Sequence, residues 1–199
     1  MGCLKNICMA ILLALAFIGF MSLGGGRLVG DIVDNFLNPP KDELIKRAEK
    51  VGDFSKINDE FELERAAGML GYNGVVAEHK ASGQKLLVID TNNKPILTKE
   101  DIKSENIEEK LLNLTKKVKY QTFQVEELKV TKRGTMNSYG KEAPYVKFEA
   151  RPKKLPIGDV AGIISVAENK EGEQRLLISA NEKKRYSQLI SEEFFKAVK

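Results

Sequence analysis

Hydrophobic positions are spread unevenly along this chain. From Ile7 to Leu23 they are almost continuous, ICMAILLALAFIGFMSL, without one charged residue. As a helix that segment spans about 25 Å at about 1.5 Å per residue, the short end of what crosses a bilayer core. It is also longer than most signal-peptide apolar regions. Lys5 and the amino terminus precede it, which favours an inside amino terminus and an outside carboxy-terminal part, a bias that Arg27 weakens. Ser22 and Gly24 form a small-x-small pattern before Gly25, so a retained transmembrane anchor and a cleaved signal peptide both fit. RLVGDIVDNFL then sets Leu28, Val29, Ile32, Val33, Phe36 and Leu37 on one helical stripe. Such a stripe suits a helix lying in the membrane interface or one packed on its own domain. Pro39-Pro40 ends it. The chain thus divides into an anchor or signal (1–26), an amphipathic helix and connector (27–58), and a folded domain (59–199).

Beyond Pro40 the period changes several times. Asp42–Val51 predicts a short helix. FELERAAGMLGY predicts another, with Phe61, Ala66, Met69 and Leu70 on one side and Gly71 as its carboxy-terminal cap. VVAEHKASGQKLLVID alternates with period two and predicts a hairpin turning at Ala81-Ser82-Gly83-Gln84. Thr98 with Asp101 resembles a capping box and opens a helix in which Ile107, Leu111, Leu114 and Val118 keep helical spacing down to Lys119. Four strand-like runs follow. TFQVEELKV changes phase between Val125 and Leu128, which predicts a bulge. YVKFEA places Val146, Phe148 and Ala150 on one face, and AGIISVAE and QRLLISA meet through a turn at Asn169-Lys170-Glu171-Gly172. A closing helix carries Tyr186, Leu189, Ile190, Phe194, Ala197 and Val198 on one stripe. Phe194 is therefore expected in the core, and Phe195, about 100° away, towards solvent. The order helix, two strands, helix, four strands, helix predicts an α+β domain: an antiparallel sheet of about six strands packed with helices.

Charge and cysteine content narrow the class. The net charge is +4, with acids interspersed among the bases and no run of five or six basic residues. That is a mildly basic solvated surface, and no nucleic-acid partner is expected. Cys3 and Cys8, the only cysteines, lie in or beside the apolar segment. The domain therefore has no disulfide framework and no Cys-ligated zinc site, which suits an oxidising exterior.

Candidate chemistry is sparse. His79, the only histidine, shares a strand face with Val75 and Ala77. It reads either as a base or metal ligand, or as a partly buried strand residue near a turn. One histidine without cysteine partners does not build the usual zinc set, and no G-x-S-x-G elbow supplies a serine nucleophile. The pairs Asp42-Glu43, Asp59-Glu60, Glu108-Glu109, Glu126-Glu127 and Glu192-Glu193 could do acid–base work only if burial split their proton affinities. Adjacent residues point in different directions, so these read as solvated surface. GTMNSYGKE has five residues between its glycines and Glu142 where a phosphate loop needs Ser or Thr, and reads as a long hairpin loop. GGGRLVG follows no strand, and Met1-Gly2 is followed by Asn6 where a myristoylation signal wants Ser or Thr. Asn113-Leu114-Thr115 is a glycosylation triplet placed mid-helix. No catalytic, cofactor-binding or metal residue is assigned, and no cofactor is expected.

The ending RLLISANEKKRYSQLISEEFFKAV, after a hairpin, a helix and an antiparallel run, resembles the Mog1/PsbP/DcrB-like family over roughly Val75 to Val198. That resemblance implies a small binding or accessory module, in several members attached to or exported across a membrane, and no shared catalytic residues. The expectation is a membrane-anchored or exported, non-enzymatic accessory protein of the cell envelope, its domain outside the cytoplasm and its partners the membrane and another envelope protein. Two alternatives stand beside it: an enzyme of unfamiliar chemistry using His79 or a carboxylate in a deep pocket, and an assembly role for the membrane helix through Ala10 and Ala14.

Overall fold

The computed structural model of the chain describes residues 41–69, 72–92, 94–116, 124–153 and 158–199. The apolar segment Ile7–Leu23 and the RLVGDIVDNFL stripe lie outside them. Among the described residues no helix is long and apolar enough to cross a membrane. The elements are α1 (Lys41–Ala48), β1 (Phe61–Met69), β2 (Tyr72–His79), β3 (Gln84–Asp90), α2 (Lys99–Lys103), α3 (Ile107–Lys116), β4 (Gln124–Ser138), β5 (Lys141–Lys153), β6 (Val160–Glu168), β7 (Gln174–Glu182) and α4 (Gln188–Ala197). The fold is α+β, built on one open sheet in the order β1-β2-β3-β7-β6-β5-β4. Every neighbouring pair is antiparallel. Two meanders, β1–β3 and β4–β7, therefore meet side by side, and α2–α3 carry the chain from the middle of the sheet to its far edge.

Each face of the sheet is covered by a helix pair. α2 and α3 press Ile102, Ile107, Leu111 and Leu114 onto Val76, Leu87, Val146, Phe148, Ile164 and Ile178. On the other face α1 and α4 press Leu44, Ala48, Phe194 and Phe195 onto Val75, Leu86, Val88, Ile163 and Leu177. Central strands buried on both faces read as near-continuous apolar runs. β6 (VAGIISVAE) is buried from Ala161 to Ala167 for this reason.

Several expectations hold. The β2–β3 hairpin forms, its turn one residue earlier than expected, over Lys80 to Gly83, with Gly83 at φ 70° and Gln84 opening β3. Thr98 and Asp101 form a reciprocal capping box at the start of α2. β4 carries two register shifts, one of them between Val125 and Glu127 where the phase change predicts a bulge. β6 and β7 turn at Asn169 to Gly172.

Others are corrected. FELERAAGM is strand β1, so the sheet has seven strands where six are expected. Glu, Leu, Arg and Ala favour helix by under about 0.7 kcal/mol per residue, and pairing with β2 overrides that preference. The single helix expected after Thr98 is two helices, broken at Ser104 to Asn106. The guanidinium of Arg133 donates to the carbonyls of Ser104 at 2.7 Å and Glu105 at 3.3 Å, holding the break against the edge strand β4. GTMNSYGKE is no long loop. Ser138 pairs with Lys141 across the two-residue turn Tyr139-Gly140, whose φ angles of 51° and 74° match the right-handed twist of the flanking strands. In α4, Phe194 is fully buried as expected, but Phe195 is buried too and Leu189 is 75% exposed. α4 is wedged between the sheet and the loop after α1, where Phe54 meets Phe194, so two of its faces are covered.

Candidate functional site

Reactive side chains in the described region gather in three places. The first is the end of the sheet where the β2–β3 turn meets α4. On β3, residues 84, 86, 88 and 90 share one face, and at the first of them stands a fully buried Gln84. The two hydrogens of its Nε2 are shared among Ser179 Oγ, Ser191 Oγ and the Ser187 carbonyl, each at 2.9 Å, and its Oε1 accepts from Ser187 N at 2.9 Å. Ser187, the residue before α4, has no side-chain cap of its own, so Gln84 moors the first turn of the helix. Tyr186 shares a 3.2 Å hydrogen bond with Ser191 Oγ, and burial pushes its phenol up to about 12.

His79 sits beside this network. It is buried, its Nδ1 lies 2.9 Å from Ser82 Oγ and accepts from Ser82 N at 3.2 Å, and its ring meets Phe61 edge-on at 5.3 Å. His79 is a buried residue at the end of β2, beside the β2–β3 turn. No group of three or more potential metal ligands forms among the described residues.

The second place is the opposite end of the same face. Arg175 is 4% exposed. Its Nη1 pairs with Asp90 at 3.0 Å, its Nη2 with Glu173 at 2.8 Å, and its Nε donates to the Val51 carbonyl at 3.2 Å. Tyr139 OH donates to the same carbonyl at 2.9 Å, and burial raises its phenol far above the ordinary value. The hydrogen bonds from Arg175 and Asn169 hold the Glu173 carboxyl below the usual range. A charged cluster this well satisfied closes the loop after α1 onto the sheet.

The third lies on the other face, across β1, β2 and β3. Lys85 Nζ is 2.7 Å from Glu64 Oε1 and also bonds Glu78 Oε2. Glu64 is the residue that the β1 bulge adds between Leu63 and Arg65. Burial, then the hydrogen bond to Glu78, raises the Glu64 carboxyl above its ordinary value. The hydrogen bonds from Glu64 and Lys85 hold Glu78 below its own. Here are two carboxylates with split proton affinities, the property sought in the five sequence-adjacent acidic pairs. In those pairs Glu108 caps the Val130 amide of β4 at 2.8 Å, Glu192 accepts from Gln188 and Glu193 from Asn58, each at 2.6 Å, and Glu43 and Glu127 pair with Arg47 and Arg151 at the surface. Glu64 and Glu78 escape a linear reading because strand pairing alone brings them together.

Asn113 is exposed on α3 and lines an open hollow of about 280 Å³ with Asn106, Glu109, Lys110 and Leu114. No family model matches this chain, and no curated protein aligns with it.

Proposed function

We propose that the chain is a non-enzymatic binding or accessory module of the cell envelope, tethered or exported through Ile7–Leu23, with its α+β domain outside the cytoplasm and another envelope protein as partner. The use made of its reactive groups supports this reading. His79 is spent on the Ser82 turn, Arg175 and Asp90 on closing the loop after α1, and Gln84 on mooring α4. Groups consumed in holding the fold are poor candidates for turnover, whereas a rigid two-faced sheet is a good platform for binding. The likeness to Mog1/PsbP/DcrB-like modules agrees in class. Protease added to intact cells is the test: the domain is degraded without lysis. Protection until lysis refutes the orientation. Cross-linking in native membranes then traps the partner.

An acid–base enzyme is the second reading, favoured by the Glu64–Glu78 pair alone. It requires that Glu64→Gln abolish a turnover that the wild-type chain shows.

A further inference from the structure

We propose that Glu64, Glu78 and Lys85 form a pH-responsive latch that binds the edge strand β1 to the sheet more firmly in mild acid than at neutral or alkaline pH.

The geometry carries the idea. Glu78 and Lys85 are direct cross-strand partners, and Lys85 reaches past Glu78 to Glu64, so one ammonium serves two carboxylates on three adjacent strands. The three side chains are only 19%, 30% and 12% exposed, in the order Glu64, Glu78, Lys85. Glu64 Oε2 is buried and accepts no hydrogen bond. As a carboxylate oxygen it is unsatisfied, whereas as a carboxylic acid it becomes a donor with Glu78 beside it.

Other charged groups of the described region modulate the trio. Glu62 lies directly opposite Glu78 and adds a third carboxylate on this face. Arg65 lies on the same face opposite Val76, and Arg185 approaches Glu78 beside Gly83. β7 contributes the uncharged Ala180 opposite Lys85. With both carboxylates ionised, Glu64 and Glu78 repel across the β1–β2 junction and compete for Lys85. With one proton present, that repulsion becomes a hydrogen bond.

The sign follows from the two directions. The Glu64 carboxyl is raised, so its contribution is present below its unfolded value and is lost as pH rises through the folded value. Glu78 is lowered, so its contribution is present above its unfolded value and is lost as pH falls through the folded one. The latch is therefore strongest in the window bracketing 4.5, the ordinary value for both, and it weakens above that window. Because β1 is an edge strand held on one side only, the change is felt there first.

Hydrogen exchange of the full chain in mild detergent, corrected for intrinsic rates, tests this at about pH 5 and about pH 7.5. Amides of Phe61–Ala66 are expected to lose several-fold protection at the higher pH, in the direction the raised Glu64 carboxyl sets. Those of the central strand β6 hold theirs. Glu64→Gln, whose amide donates to Glu78 at every pH, keeps β1 protected throughout, and Lys85→Met steepens the pH dependence. Equal pH dependence in wild type and Glu64→Gln, or no loss in wild type, overturns the proposal.

Discussion

Phe195→Ala separates a helix that presents one stripe from a helix that is wedged. Helical spacing alone makes Phe195 a surface residue whose truncation costs less than about 0.5 kcal/mol. In the structure it is 0% exposed and meets Phe194 edge-to-face at 5.5 Å. A buried Phe→Ala typically costs about 3–5 kcal/mol, transfer and cavity terms together. Phe194 is also fully buried, but its ring additionally meets Phe61 at 5.2 Å and Phe54 at 6.2 Å. Each aromatic pair adds about 0.5–1.5 kcal/mol beyond its area. Phe194→Ala is therefore expected near the top of that range, about 5 kcal/mol, and Phe195→Ala nearer about 3–4 kcal/mol. For a chain of this size these correspond to falls of roughly 6–20 °C in melting temperature. Both are large against a total stability of about 5–15 kcal/mol. Urea unfolding of the full chain in detergent, followed by far-ultraviolet circular dichroism, measures both variants and the double. The double should fall short of the sum by about 1 kcal/mol, the shared ring contact. A Phe195→Ala cost under about 1 kcal/mol refutes the wedged placement of α4.

Three further outcomes are expected. Gly162→Ala puts a Cβ 2.2 Å from the Ser179 carbonyl and 2.7 Å from the Phe148 ring in the middle of the sheet; urea unfolding should show a loss of at least about 1–3 kcal/mol, and a neutral result contradicts the Phe148–Gly162 packing. Arg175→Met leaves the Asp90 carboxylate without its cation and the Val51 carbonyl with Tyr139 as its donor, costing about 3–5 kcal/mol, and adding Asp90→Asn should recover about 1–3 kcal/mol of it; a double no better than the single rules out the charge pair as the cause. Tyr139 and Tyr186 keep their protons in the fold above the ordinary phenol value of 10.0, so the unfolded chain loses protons first and stability falls as pH rises from there towards about 12. Ultraviolet titration should therefore show late, unfolding-coupled ionisation of these two phenols; ordinary titration of both refutes the burial.

The β2–β3 and β6–β7 hairpins, the capping box, the β4 bulge and the burial of Phe194 were legible because each is written in adjacent residues. Alternation shows which strand face is buried, Thr98 and Asp101 cap within one turn, and a phase change marks an extra residue. Even Gln84 left a trace: it stands in phase with Leu86 and Val88 and so belongs to a buried row. What periodicity leaves undetermined is what an element packs against. β1 carries a helix-forming composition and is a strand because β2 offers it a ladder of hydrogen bonds worth more than its propensity. Phe195 is buried because residues far apart in the chain, Met136, Tyr139 and Phe194 among them, gather with it into one cluster. Glu64 and Glu78 acquire split proton affinities only when two strands set them side by side on Lys85. Local order sets most of the elements, β1 excepted, because backbone and side-chain periodicity are properties of neighbours. Proton affinity and the burial of a second helix face are properties of the space around a group, and only the tertiary structure fills that space.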